Sequence, residues 1–108
     1  MPQDSDARIN HFLKEVEQAI QVANREILSQ RLPAITKENI LPLAISVARL
    51  RAQYLAEAFR MAKDGAGEAP GEAELNSLKR LREMYGEARE AFDALIHVID
   101  RGYVELGE

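Results

Sequence analysis

Arg51 is the residue whose chemistry stands out first in this chain. On a helix it projects close to Ala44, Val47, Tyr54 and Ala58, near the middle of an apolar arc. A buried guanidinium without a carboxylate or carbonyl partner costs roughly several kcal/mol. Three arrangements would satisfy it. The long stem can carry the charge out to water, an acid on another helix or chain can pair with it and fix register, or a small anionic ligand can occupy it.

A second reading uses the same stretch. If Ser46–Leu55 were the second helix of a helix-turn-helix spanning about 36–55, Arg49 and Arg51 would point into a DNA groove. That geometry needs a short supporting helix upstream and a tight turn, often with glycine. Only about nine residues separate Thr36 from Ile45, Pro42 lies among them, and Ala44 stands at the turn position. One uninterrupted helix through LPLAISVARLRAQYL fits better.

The carboxylates and histidines offer less. Glu90, Asp93 and His97 share one helix flank, and such donors can hold a metal with help from a neighbouring helix. This flank is the polar side, and the Glu-x-x-His spacing of di-iron bundles is absent because Ala94 precedes His97 by three. His11 is likewise on a polar side. Glu83, Glu87 and Glu90 form an acidic edge with no apolar cleft beside it to separate their pKa values. No nucleophile motif or glycine-rich phosphate loop is present, so the expectation is a protein that is not an enzyme and has no catalytic, cofactor or metal site.

The elements that position these residues are helical. Ile9, Phe12, Leu13, Val16, Ala19, Ile20, Ala23 and Ile27 lie on one arc, with Ser5 or Asp6 as N-cap and Pro33 enforcing an end near Arg31. A second helix is expected from Asn39 as cap to Lys63, its apolar side chains covering an arc of about 200°. So wide an arc needs more than one neighbour. Residues 63–72, KDGAGEAPGE, make a loop. In the third helix Leu78, Tyr85, Phe92 and Ile99 recur every seven residues, with Leu81, Ala88 and Leu95 between them, and Gly102 ends it.

The expected fold is therefore all-α: an elongated antiparallel three-helix bundle, assembling into a larger helical bundle as a homodimer. One domain covers 1–108, with helices at about 6–31, 39–63 and 72–101, a polar N-terminus at 1–4 and a tail at 102–108 that docks through Tyr103, Val104 and Leu106. The 108 residues are 46% hydrophobic and 30% charged, values of a globular domain. A net charge of −4 argues against nucleic acid or an anionic membrane as default partner. It is unevenly spread: residues 37–63 carry five bases and two acids, residues 64–108 eleven acids and five bases. The absence of cysteine excludes thiolate metal sites and suits the cytoplasm. No apolar run is long enough to span a bilayer, and the polar MPQDSDARIN does not read as a secretion signal.

Functionally, these features point to a small intracellular interaction or adaptor protein that self-associates through the apolar faces of helices 2 and 3. The interface expected from sequence comprises Arg51, Val47, Tyr54, Ala58, Tyr85 and Phe92, with a further protein partner presented to the remaining surface. The alternatives are a DNA-binding regulator built on the 36–55 segment and a bundle that binds an anionic ligand or metal.

Overall fold

The computed structural model describes residues 2–107; Met1 and Glu108, the extremities of the polar N-terminus and of the tail, lie outside the described residues. The fold is all-helical, with α1 (Pro2–Ser29), α2 (Lys37–Asp64) and α3 (Glu72–Asp100). Among the described residues there is no strand, only an isolated parallel bridge between Ile35 and Leu106. Among the described residues no helix is long and apolar enough to cross a membrane.

Two helix starts lie upstream of the positions expected from capping residues. α1 already begins at Pro2 rather than at Ser5 or Asp6. Proline suits a first helical position, where its fixed φ is helical and its missing N–H would have had no partner. α2 begins at Lys37, which leaves Thr36 at the cap position and puts Asn39 inside the first turn. Pro42 therefore falls within the helix, where it cannot donate to the carbonyl of Glu38. The helix continues through it, and the Ser46 hydroxyl donates to the carbonyl of Pro42 at 3.0 Å.

The C-terminal ends of α2 and α3 close by one motif. At α2, the N–H of Gly67 donates to Ala62 and that of Ala66 to Lys63; at α3, Tyr103 donates to Val98 and Gly102 to Ile99. Each pair is the Schellman pattern, which requires a left-handed residue just past the helix. Gly102, with φ 73°, supplies it at α3, whereas at α2 the position is held by Ala66, with φ 51°.

Within the single domain expected from sequence, contacts gather into two compact units, one formed by residues up to Thr36 with those from Ile96 onward, the other by Lys37–Leu95. The second unit is a helical hairpin. Arg51 stands 13 residues before the end of α2 and contacts Tyr85, 13 residues after the start of α3, so the two helices run antiparallel from the loop at 65–71. Val47 and Met61 are its buried residues. Leu78, Leu81, Tyr85, Ala88, Phe92 and Leu95 of the seven-residue repeat are half-buried.

In the first unit the tail docks on the end of α1. The Ile35 N–H donates to Glu105 and the Gly107 N–H to Ile35, both at 2.8 Å, which buries Ile35. Tyr103 and Val104 are half-buried as the docking expectation requires, but the Leu106 side chain is 71% exposed. Leu106 joins through its place in the bridge, not through its side chain. Arg101 pairs with Glu17 at 3.3 Å, an exposed contact. Along α1, every residue from Asp4 to Ala23 is exposed, its apolar stripe included.

Candidate functional site

The Arg51 guanidinium meets an aromatic partner. Its Nε donates to the Tyr85 hydroxyl at 3.2 Å, and its Cζ lies 5.4 Å from the centre of the Tyr85 ring. Arg89, one turn further along α3, places its own guanidinium 5.7 Å from the same ring. Tyr54, on the face of α2 that carries Arg51, stacks on Tyr85 with centroids 6.3 Å apart and planes 20° from parallel. Two aromatic rings and two cations thus fasten the middle of the hairpin.

The electrostatics follow from this geometry. The hydrogen bond from Arg51 holds the Tyr85 hydroxyl below the usual phenol range; burial opposes the shift, and the charges of Arg51 and Arg89 reinforce it. Arg51 itself is exposed, and among the described residues it forms no carboxylate pair. Its position on the border of the hairpin interface lets the stem lie against Tyr85 while the charge stays in water.

Other candidate residues take ordinary surface places. α2 passes through 37–64 without a break, so no turn forms at Ala44 and the two-helix geometry of a DNA reader is not built there. Glu90, Asp93 and His97 are all exposed, and among the described residues no three metal-binding side chains are gathered. Glu83 reaches Lys79 at 3.9 Å, a surface pair. Arg60 binds Glu57 and Asp64 on the polar side of α2, and the Arg60 hydrogen bond holds the Glu57 carboxyl below the usual carboxylate range.

Of the residues expected at an interface, Val47 is buried and Tyr54, Ala58, Tyr85 and Phe92 are half-buried, with Arg51 exposed at their edge. Beyond them α2 carries a second apolar face. Leu41, Ile45, Ala48, Ala52, Leu55 and Phe59 follow one another at intervals of four, three, four, three and four residues, and all six are exposed. Phe59, at 78%, is the most exposed large apolar side chain described. That alternation is the seam of a helix built to pack against another helix. The wide arc is two seams side by side, and Arg51 lies between them, which is why projection set it at the arc's centre.

Comparison with protein families, with curated proteins and with solved structures finds no match to this chain.

Proposed function

We propose that this chain is a non-enzymatic, cytoplasmic interaction protein that self-associates as a homodimer through the apolar faces of helices 2 and 3, forming an antiparallel helical bundle. The observation that carries this reading is the second seam of α2. A helix normally hides one apolar stripe and turns polar residues to water. α2 hides one stripe in its hairpin and leaves another, from Leu41 to Phe59, uncovered. Exposed apolar faces of this length mark association surfaces rather than resting surfaces of a monomer. The alanines at 48 and 52 lower the middle of the seam and let a second helix approach closely.

Light scattering tests the proposal. A dimer has a mass of about twice 12.1 kDa, and its population falls on dilution because association is governed by mass action. A species that stays at the monomer mass at high micromolar concentration refutes it.

A further inference from the structure

Two guanidiniums of the hairpin converge on a single phenol. Arg51 reaches Tyr85 from α2 and Arg89 from α3, their Cζ atoms 5.4 and 5.7 Å from the centre of its ring. Like charges gathered at one ring repel, and an exposed aromatic face offsets that only weakly. A carboxylate between them would relieve the repulsion. Among the described residues neither guanidinium has one within ion-pair distance.

The neighbouring acids are engaged or turned elsewhere. From Asn39 to Ala56 α2 carries Arg49 and Arg51 and no acid, and Glu57 and Asp64 beyond are bound to Arg60. On α3, Glu83 reaches Lys79, and Glu83 and Glu87 line a groove with Leu50 and Met84 on the other side of the hairpin. Asp93, four residues after Arg89, is not among the ion pairs of the described residues. The edge at Tyr85 is therefore locally positive on a chain of net charge −4.

Most of the donors at this edge are also without partners. Arg51 gives only its Nε to the Tyr85 hydroxyl, which leaves the N–H groups of both terminal nitrogens. Among the described residues Arg89 donates to no side chain, and the Tyr85 hydroxyl proton has no acceptor. A planar carboxylate is satisfied by one guanidinium fork. Two forks from different helices and a hydroxyl instead suit a doubly charged anion whose oxygens do not share a plane, which is a phosphate group.

We infer that Arg51, Arg89 and Tyr85 form a binding site for a phosphate group, either free or carried on a small organic molecule. A carried group has room for its body. Tyr54, stacked on Tyr85, also lines a cleft of about 150 Å³ with Leu75, Leu78 and Arg82. All of these residues belong to one hairpin, so the site stands whether or not the chain self-associates.

Calorimetric titration with inorganic phosphate and with phenyl phosphate, in chloride of matched ionic strength, tests the inference. Saturable binding is expected, weakened at least about tenfold by Arg51→Gln and by Arg89→Gln, each of which removes a charge-assisted contact. Both arginines are exposed, so the helices should survive either change, which circular dichroism checks. Tyr85→Phe keeps the ring and should weaken binding about fivefold, whereas Arg49→Gln should leave it unchanged. The Tyr85 phenol, read as the ultraviolet difference between wild type and Tyr85→Phe, should ionise at higher pH in phosphate than in chloride, because a neighbouring anion disfavours the phenolate. Tighter binding of phenyl phosphate supports the carried group, and equal binding the free ion. No saturable heat with either compound overturns the inference. So does binding that none of the three site variants weakens, which is an adventitious ion only, or acetate that binds as tightly as phosphate.

Discussion

The two helix ends closed by the same motif give a prediction with opposite signs. A non-glycine residue held left-handed costs about 1–2 kcal/mol, and Ala66 sits at φ 51° at the end of α2. Ala66→Gly removes that strain. It also frees the unfolded chain, which returns about 0.4–1 kcal/mol to the unfolded side. The net expectation is stabilisation by about 0.5–1 kcal/mol. Gly102→Ala reverses each step at the end of α3, where φ is 73°. The new Cβ would also stand 3.3 Å from Nε2 of Gln21, the movable end of a flexible side chain, so packing adds little. Destabilisation by about 0.5–1 kcal/mol follows from the same strain and entropy terms. Urea denaturation followed by circular dichroism, at one fixed protein concentration, reads both. A loss of stability in Ala66→Gly would show that the 65–71 turn does not hold Ala66 left-handed. A neutral Gly102→Ala would show the same for the junction between α3 and the tail.

Three further outcomes follow from the hairpin. Arg51→Ala is expected to cost about 1 kcal/mol, the scale of an exposed cation–π contact with one exposed hydrogen bond; a double-mutant cycle with Tyr85→Phe and Tyr85→Leu reads the coupling, and none above about 0.3 kcal/mol sinks the assignment. In the same variants an ultraviolet titration should find one phenol of the wild-type protein ionising below the ordinary tyrosine range and returning towards it in Arg51→Ala. Because the native value is depressed, this group contributes its full stability above the unfolded phenol value, and that contribution is lost as pH falls through the native one. Met61, 4% exposed, should lose about 2–4 kcal/mol as alanine by the transfer and cavity effects of a core deletion; a loss below 1 kcal/mol in denaturant melts would place it outside any core.

The helices were legible because apolar spacing is a local signal. Periods near 3.6 and 7 marked all three, and the loop at 65–71 announced itself by glycine and proline. The starts of α1 and α2 were less so, since Pro2, Thr36 and Asn39 each offer acceptable termini and only the surrounding structure chooses among them. The bridge between Ile35 and Leu106 left no trace in the sequence. It joins residues 71 apart through backbone groups, which carry no side-chain signature.

Arg51 shows how a correct periodicity can still misplace a side chain. Projection sums all apolar positions of α2 into one direction, and the sum of two seams points to the border between them. The charge is therefore not buried in a core, and a cost of 2–4 kcal/mol for its removal, appropriate to a stranded buried carboxylate, does not apply. What projection missed was visible in the intervals instead of the angles. From Leu41 to Phe59 the spacing alternates four and three, and from Ile9 to Ile27 it does so again over an equal length. A single stripe of that kind is satisfied by one neighbour. Two such stripes, in addition to the heptad seam of α3, give this chain more helix-packing surface than its own hairpin uses.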